Sequence, residues 1–282
     1  MGAERPDGCL DRIEVRLLLE AIHARYGYDL REYVPASISR RVSAALLASG
    51  AQHLGELQHR VLRDPDLFAN VLADLTVPAT AMFRDPDFYR ALRQRVVPLL
   101  STYPRLKMWH AGCATGEEVF SNAILLLEEE LFERTTIFAT DLSRRSLEVA
   151  KQGLYDDDRI AKFSADYAAS GGRASLSAYY TAAYGRVAFR EQLAKKICFF
   201  QHDLVTDDVF GEMNVVFCRN VLMYFDAPLR ERVVAKLARS LCPGGFLCLG
   251  KDERLPDSSM APFEPFDGAP DALPIYRYQG DP

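Results

Sequence analysis

Several common sequence features are missing from this chain of 282 residues. None of its six cysteines forms a Cys-x-x-Cys pair, which argues against a zinc site and against a disulfide framework. Four of the cysteines lie in apolar stretches, so we expect reduced, mostly buried thiols and no bound metal. The chain also lacks an apolar run long enough to span a bilayer, an internal repeat and a low-complexity tract.

An excess of basic residues is absent as well. The formal net charge is -5, so the composition gives no reason to expect nucleic acid or an anionic membrane as a partner. The N-terminus has no charged-then-apolar leader, which predicts a cytoplasmic protein. What is present, 49% hydrophobic and 26% charged residues, is typical of a soluble protein with one large domain or a large and a small one. We expect a monomer without membrane insertion.

Hydrophobic periodicity divides the chain into two parts. Apolar residues recur at helical spacing from residue 11 to about 76, with Gly27 and Gly50 ending two of four helices, which predicts a small helical bundle. From Leu106 apolar strands alternate with helices, which predicts an α/β fold with a doubly wound, mostly parallel sheet covered on both faces. The predicted boundaries are an N-terminal helical domain at 1–76, a linker and helix at 77–104, and an α/β domain at 105–282.

Three local features depart from this alternation. Residues from about 156 to 196 contain several tyrosines and glycines and predict an inserted subdomain, a three-stranded sheet with a helix. The run Leu273-Pro-Ile-Tyr276 predicts a last edge strand. Asp85-Pro86 is expected to begin the helix of the linker, with Asp85 as N-cap and Pro86 in the first turn.

The most informative segment is Met108–Glu118. An apolar strand runs into Gly112-x-x-x-Gly116, a helix begins near Glu117, and a second strand ends at Asp141. The glycines allow a sharp turn and a close approach to a ligand, the helix start presents free N–H groups, and Asp141 can accept both hydroxyls of a ribose. A turn with two glycines and two acids suits a pyrophosphate poorly, and packing alone is an equal alternative. As a ligand site, the pattern favours S-adenosylmethionine, which has an adenosine, an amine and a sulfonium but no phosphate.

Polar residues elsewhere are predicted to reach the same rim of the sheet. Arg219, Asn220 and Tyr224 follow a buried strand, and ligands of open parallel sheets bind at the carboxyl ends of the strands. Asp203, after the preceding strand, suits the edge of an adenine, although capping of a turn is an equal alternative. Arg84 lies between the two predicted domains, where it can hold a carboxylate in two-point contact or form a surface salt bridge.

Motifs along nearly the whole chain, from about residue 14 to 278, resemble those of CheR-type chemoreceptor glutamate O-methyltransferases. They follow the family's order: Gly27-Tyr-Asp-Leu-Arg-Glu-Tyr33 with Arg40-Arg41, Thr80-x-x-Phe-Arg-Asp-Pro86, Trp109-x-Ala-Gly-Cys-x-Thr-Gly-Glu-Glu118, Ala139-Thr-Asp-Leu142 with Gly153-Leu-Tyr155, Phe217-Cys-Arg-Asn-Val-Leu-Met-Tyr-Phe225, and Pro243-Gly-Gly-Phe-Leu-Cys-Leu-Gly250 with Glu253. The resemblance implies a class I, Rossmann-like methyltransferase. Such an enzyme transfers a methyl group from S-adenosylmethionine to glutamate side chains on the cytoplasmic helices of a chemoreceptor, in chemotaxis-type signalling.

The resemblance also implies roles for the matched residues. Besides the glycine turn, the implied cofactor residues are Thr80 and Arg84 for the methionine part, Glu117 or Glu118 for the amine, Asp141 for the ribose, Asp203 with Leu204 for the adenine, and Arg219 with Asn220 and Tyr224 at the methyl-transfer end. A glutamate side chain, with an ordinary pKa of about 4.3, is already ionised at neutral pH, so no general base is needed. Arg84 and Tyr224 are therefore predicted to act by orienting the acceptor.

Departures from the family pattern leave two other functions open. Pro78 and Asp203 each replace a usual asparagine, and Gly250-Lys-Asp-Glu253 replaces the usual Gly-x-Ser-Glu. The alternatives are an S-adenosylmethionine-dependent O-methyltransferase of another acid and a cofactor-binding regulator without turnover. The helical domain is expected to bind the receptor. Its charge gives little support for this, because residues 1–76 carry nine arginines against eleven acids. There, Arg40-Arg41 and the pair Arg60 and Arg63 are the candidates for a basic face.

Overall fold

The computed structural model describes residues 6–76, 80–266 and 273–280, and Pro78 lies outside this description. Up to residue 76 it contains the four helices that the periodicity predicted: α1 Pro6–Tyr26, α2 Pro35–Ser49, α3 Leu54–Val61 and α4 Pro65–Leu75. α2 ends where Gly50 takes a left-handed conformation, with φ 67°. α4 begins after Asp64, whose carboxylate accepts two backbone N–H groups of the first turn. In the described ranges no helix combines the length and the apolar character needed to cross a membrane.

The segment after these helices contains the predicted helix with Asp85 in the predicted N-cap position, but without a side-chain cap. α5 spans Pro86–Ala91, continues as a π-helical turn over Leu92–Val96 and ends as α6, Val97–Leu100. Asp85 precedes Pro86 as expected, but its side chain makes no capping hydrogen bond. Its Oδ2 accepts instead from Arg219 at 2.8 Å. The expectation of a capping side chain is wrong because the Asp85 carboxylate binds the buried guanidinium of Arg219 instead.

The rest of the chain is built on a seven-stranded sheet. The strands after residue 105 are β1 Leu106–Ala111, β2 Thr135–Asp141, β3 Leu154–Asp156, β4 Tyr180–Ala183, β5 Arg186–Phe189, β6 Ile197–Gln201, β7 Met213–Cys218, β8 Leu241–Leu249, β9 Phe263–Pro265 and β10 Ile275–Tyr278. The helices are α7 Glu117–Glu128, α8 Arg144–Gln152, α9 Ile160–Ala169, α10 Glu191–Ala194 and α11 Ala227–Arg239. The sheet has the order β6-β2-β1-β7-β8-β10-β9, and all four pairings from β6 to β8 are parallel. This confirms the predicted doubly wound, mostly parallel α/β fold.

Two parts of the sheet domain refine the prediction. The run at 273–276 was expected to be an edge strand, but β10 pairs with both β8 and β9, so β9 is the edge. β9 has only three residues and ends in a proline, which leaves no periodic pattern to predict it from. A small antiparallel sheet in the order β3-β5-β4, with α9, forms the predicted insert. This insert begins at Leu154 rather than at about 156.

Neighbouring residues of the central strands enter two different hydrophobic cores. Trp109 and Val216 pack on one face with the N-terminal helices and α11. Met108 and Val215 pack on the other face with α5 and α7. Because successive side chains of a strand point to opposite faces, this division shows that both faces of the sheet are covered.

The helical domain is joined to the sheet domain next to the loop that follows β7. Tyr33 and Phe225 form an antiparallel bridge, and the N–H of Val34 donates to the carbonyl of Tyr224 at 2.9 Å. The N–H of Asp226 donates to the carbonyl of Glu32, also at 2.9 Å. These backbone bonds place the start of α2 beside the carboxyl edge of the sheet.

The cysteine side chains that the structure describes are all free: Cys113, Cys218 and Cys248 are buried, Cys242 is half-buried and Cys198 is exposed. Burial raises the pKa of the Cys113 and Cys218 thiols well above the ordinary value. Buried thiols with raised pKa values are inert at neutral pH. The side chain of Cys9 lies outside the description.

Candidate functional site

A cavity opens at the carboxyl edge of the parallel strands, where the helical domain meets the sheet. With the space that communicates with solvent, it encloses about 940 Å³. Among its lining residues are ten of those predicted for the site: Thr80, Arg84, Gly112, Glu118, Asp141, Asp203, Leu204, Arg219, Asn220 and Tyr224. The remaining two, Gly116 and Glu117, are placed outside the cavity wall.

The turn between β1 and α7 has the sharp geometry that its glycines predict. Gly112 and Gly116 have φ angles of 80° and 91°, which favour glycine. A β-carbon on Gly112 would lie 2.6 Å from Val221 Cγ2, and one on Gly116 would lie 2.8 Å from Ala150 Cβ. The missing side chains therefore make room for neighbouring protein. For Gly116, which lies outside the cavity wall, this packing is the reason that the structure shows.

The two acids after the turn point in different directions. Glu117 is buried, and its carboxylate accepts from the Thr115 hydroxyl at 2.6 Å and from Arg159 at 3.0 Å. Glu118 lines the cavity. Of the two candidates for a cofactor amine, Glu118 is the one placed to reach a ligand there.

Asp141 stands at the end of β2, on the cavity wall. Its Oδ2 accepts the N–H of Ala114 at 2.8 Å, and its Oδ1 accepts the N–H of Ser143 at 2.9 Å. Burial raises the pKa of this carboxyl above its ordinary value, although these two hydrogen bonds act in the opposite direction. Each carboxylate oxygen has a further lone pair, so Asp141 can also accept from two hydroxyls of a ligand.

Arg219 is the centre of a buried charge network at the cavity. Its side chain is 1% exposed and donates to Glu118 and to Asp85, each at 2.8 Å. His110 Nδ1 lies 3.1 Å from the other oxygen of Glu118. Burial by itself would raise the pKa of Glu118, but the charge of Arg219 and the contact with His110 outweigh it and lower the pKa. Glu118 is therefore a fixed anion, and Arg219 serves as its counter-ion.

Asp203 caps its own turn and also lies on the cavity wall. Its Oδ1 accepts the N–H of Val205 at 2.8 Å, which is the capping of a turn. The same residue lines the cavity together with Leu204 and His202. Burial raises the pKa of the Asp203 carboxyl, although the hydrogen bond from Val205 lowers it. A carboxyl in this position can face a ligand while it holds its own loop.

The loop after β7 is held by one carboxylate, that of Glu253. This side chain is buried and accepts the N–H groups of Asn220 at 2.7 Å, Gly250 at 2.7 Å and Met223 at 3.1 Å. Asn220 has a left-handed φ of 60°, a conformation that costs free energy in a residue other than glycine. The three bonds stabilise that conformation, so Glu253 positions the loop that carries Asn220 and Tyr224.

Replacing Glu253 by glutamine is expected to lower the free energy of unfolding by about 1–3 kcal/mol. The glutamine amide has to turn an NH₂ group toward at least one of the three N–H donors and leave it unsatisfied. Urea or thermal unfolding measures this loss. The control Glu264→Gln changes an exposed residue of β9 and should stay within about 0.5 kcal/mol of the original protein. Equal stability of the two variants would contradict the role given to Glu253.

Arg41 of α2 is a cavity residue that the sequence named only as a candidate for a basic face. It is 4% exposed, lines the cavity, and donates from Nη1 to the carbonyl of Leu75 at 2.6 Å. Its guanidinium carbon lies 4.0 Å from the centre of the Tyr224 ring. Nε and Nη2 have no hydrogen-bond acceptor among the described residues. The predicted basic face at Arg40-Arg41 is therefore wrong for Arg41, which points inward.

Arg84 borders the cavity from the segment between the two domains. Its neighbours Phe83 and Asp85 both have left-handed φ angles, 50° and 61°. The N–H of Phe83 donates to Ser121 Oγ at 2.9 Å, and the carbonyl of Arg84 accepts from Arg219 at 3.2 Å. An unusual backbone that surrounding bonds maintain in this way is typical of functional sites.

Comparisons with known proteins cover both parts of the chain. Residues 13–76 match the family described as CheR methyltransferase, all-alpha domain, and residues 78–269 match CheR methyltransferase, SAM binding domain. Putative methyltransferase Cher3 of Pseudomonas putida is 48% identical over 254 residues, which cover 90% of this chain and 93% of the relative. Chemotaxis protein methyltransferase 1 of Pseudomonas aeruginosa is 32% identical over 233 residues, 77% of this chain and 81% of the relative. Chemotaxis protein methyltransferase Cher2 of Pseudomonas putida is 30% identical over 264 residues, 88% of this chain and 91% of the relative.

The second family match includes the glycine turn and the strand ends that line the cavity. Its description names S-adenosylmethionine as the bound cofactor, in agreement with a turn that lacks the features of a pyrophosphate site. The first match includes α2, which contributes Arg41 to the same cavity. The chain therefore belongs to the CheR family of S-adenosylmethionine-dependent methyltransferases.

Proposed function

We propose that this protein methylates glutamate side chains of chemoreceptors, with S-adenosylmethionine as the methyl donor. The observation that carries the proposal is the position of Arg41, a buried arginine of the helical domain that stacks on Tyr224 at the cofactor cavity. A guanidinium with unused N–H groups suits an anionic acceptor. Relatives named chemotaxis protein methyltransferase support a receptor as the source of that anion.

The polar lining of the cavity fits S-adenosylmethionine by its chemistry. Glu118 would hold the amine as a fixed anion, and Asp141 would accept from the ribose hydroxyls. Asp203 and Leu204 would face the adenine, and Thr80 would lie toward the methionine part. Three carboxylates on the wall of one cavity favour a ligand that carries positive charge and donors over one that carries phosphate. When bound, this cofactor supplies a methyl group attached to a sulfonium.

Methyl transfer to a carboxylate requires side chains that orient the acceptor, and it requires no proton transfer. The acceptor glutamate is ionised at neutral pH, since its ordinary pKa is about 4.3. The residues at the methyl-transfer end have to hold its carboxylate in line with the methyl group and exclude water. Such positioning contributes up to roughly 7–11 kcal/mol to lowering a barrier. Each transfer replaces a carboxylate by a neutral ester, so the reaction alters the charge of the receptor helix.

Arg41, Arg84 and Tyr224 are the residues that we assign to the acceptor. Burial lowers the pKa of the Arg41 guanidinium below its ordinary value, and the neighbouring Tyr224 and Tyr33 offset this only in part. A carboxylate that enters the cavity would supply the missing partner. The Tyr224 ring keeps the guanidinium in place by a cation–π contact.

The same proposal assigns different tasks to the parts of the chain. The N-terminal helical domain, residues 1–76, would dock onto the receptor, and the domain from residue 105 onward would carry the cofactor. Arg41 supports this division because it belongs to the first part and lines the cavity of the second. Residues 77–104 would connect the two and contribute Thr80 and Arg84 to the site.

Replacing Arg41 by alanine is expected to slow receptor methylation by roughly 10- to 100-fold, the usual effect of losing a charge-assisted hydrogen bond. The experiment incubates the protein with methyl-labelled S-adenosylmethionine and a cytoplasmic receptor fragment. Label on glutamate esters is released by base as methanol. The control is Arg239→Ala, which removes an exposed arginine at the end of α11, outside the helical domain, and should keep the original rate.

Other outcomes would replace the proposal. Base-labile label on a small acid, and none on receptor fragments, would favour a methyltransferase of another acid. Tight cofactor binding without any labelled product would favour a regulator without turnover. Normal receptor methylation by the Arg41→Ala variant would remove Arg41 from the acceptor site.

A further inference from the structure

Two residues of the inserted subdomain reach the turn that precedes α7. Tyr155 lies in β3, and Arg159 lies in the 3₁₀ turn that follows it. The Tyr155 hydroxyl donates to the carbonyl of Thr115 at 2.7 Å, and Arg159 Nη2 donates to Glu117 Oε1 at 3.0 Å. Thr115 and Glu117 are the residues on either side of Gly116, so the insert contacts the cofactor turn directly.

The contact made by Tyr155 is buried and has little freedom. The side chain is 4% exposed, and its ring meets the rings of Phe120 and Phe189 edge to face, with centroid distances of 6.3 Å and 5.8 Å. Burial raises the pKa of the Tyr155 hydroxyl well above its ordinary value, so the hydroxyl keeps its proton and stays a donor. Packing against α7 and β5 therefore holds the neutral Tyr155 hydroxyl in position to donate to the carbonyl of Thr115.

The other end of the same turn is held by β2. The N–H of Ala114 donates to Asp141 at 2.8 Å, and the N–H of Gly112 donates to the carbonyl of Thr140 at 2.9 Å. Ala114 has a left-handed φ of 48°, which a residue with a side chain adopts only when its surroundings stabilise it. Hydrogen bonds therefore stabilise the strained turn at two points, from the sheet at Ala114 and from the insert at Thr115.

Arg159 adds a second, weaker link. It donates to Glu117, which also accepts the Thr115 hydroxyl, and its Nη1 lies 3.5 Å from the carbonyl of Thr80 on the cavity wall. Because Arg159 is 46% exposed, solvent screens its ion pair. The contribution of Arg159 should therefore be smaller than that of Tyr155.

We propose that Tyr155, supported by Arg159, is a positioning residue for the cofactor turn. Neither residue lines the cavity wall. Together they order residues 114–117, so that Glu118 and Asp141 stand in their binding positions before the cofactor arrives. The insert is in this way part of the cofactor site. The proposal concerns cofactor binding and does not depend on which acceptor is methylated.

The test is the variant Tyr155→Phe, which removes the hydroxyl and keeps the ring packing. Calorimetry should show that S-adenosylhomocysteine binds roughly tenfold more weakly. Amide hydrogens of residues 114–117 in the ligand-free protein should exchange faster by a similar factor. In turnover, KM for S-adenosylmethionine should rise while kcat at saturation stays within about twofold. Arg159→Gln should move these quantities in the same direction by about two- to threefold.

The control is Tyr180→Phe, which removes a hydroxyl from β4 of the same small sheet. Its ring packs on Phe189, as that of Tyr155 does, but among the described residues its hydroxyl makes no hydrogen bond to the turn. Affinity and exchange at the turn should be unchanged in this variant. If Tyr155→Phe loses thermal stability and still binds S-adenosylhomocysteine as the original protein does, or if exchange at residues 114–117 is unchanged, the proposal is wrong.

Discussion

Replacing Asp141 by asparagine is expected to weaken the binding of S-adenosylmethionine by about a hundredfold or more. The two carboxylate oxygens of Asp141 accept the N–H groups of Ala114 and Ser143. Asparagine has to turn its NH₂ group toward one of these donors, and it offers the ribose hydroxyls one oxygen in place of two. The turn and the ligand contact are damaged together. Calorimetry with S-adenosylmethionine and S-adenosylhomocysteine measures the loss.

An exposed aspartate provides the control for this experiment. Asp87→Asn removes a carboxylate that is 80% exposed and forms an ion pair with Arg90, so cofactor affinity should be unchanged. Amide exchange at residues 112–117 separates damage to the turn from loss of the ligand contact, since the turn is present without cofactor. Binding by the Asp141→Asn variant within threefold of the original protein would remove Asp141 from the ribose site.

The raised pKa of Asp141 also predicts the direction in which cofactor affinity depends on pH. In the ligand-free protein, burial favours the protonated carboxyl and raises its pKa above 3.8. Ribose hydroxyls that donate to this group favour the carboxylate, so binding lowers the pKa and releases protons. Affinity should therefore fall as the pH drops through the raised pKa of the free protein and be constant well above it. Calorimetry in two buffers of different ionisation enthalpy detects the released protons, and the Asp141→Asn variant should release fewer.

Much of the fold could be predicted because its signals are local and periodic. Strands that alternate with helices from Leu106 onward specify a parallel sheet, and the acids and glycines at strand ends have to meet at one edge. Periodicity did not predict β9, because this strand has only three residues. β9 forms by pairing with the free edge of β10. Asp85 was predicted as a cap from its position before Pro86, but its partner is Arg219, which is distant in sequence.

The case of Arg41 shows what kind of signal sequence reasoning overlooked. Two adjacent arginines were interpreted by their charge as a surface feature. Helical spacing predicts instead that Arg41 is buried. Arg41 follows Ile38 by three residues and precedes Ala45 by four, and both are buried. Residues three and four apart share a helix face. A charged residue on the apolar face of a helix is therefore a better indicator of a site than a charged pair.

Replacing Arg84 by alanine is expected to lower kcat for receptor methylation by roughly a hundredfold, with a smaller change in cofactor affinity. Arg84 lies between two residues with left-handed backbone conformations, and Ser121 and Arg219 hold this segment. The backbone is therefore fixed, and the side chain that borders the cavity can orient the acceptor carboxylate. Displacing a reacting group by about 1 Å can reduce turnover by roughly that factor. Steady-state assays with labelled cofactor, over a range of receptor-fragment concentrations, measure kcat separately from KM.

Variants of neighbouring residues distinguish orientation of the acceptor from a general loss of charge. Arg84→Lys keeps the charge but loses the planar, two-point geometry, so its kcat should lie between those of alanine and arginine. Tyr224→Phe should have a smaller effect than Arg84→Ala, because the phenyl ring still packs against the Arg41 guanidinium. Arg90→Ala, which removes an exposed arginine of α5, should leave kcat unchanged. Normal receptor turnover by the Arg84→Ala variant would show that the acceptor is oriented by other groups, with Arg41 and Tyr224 the first to examine.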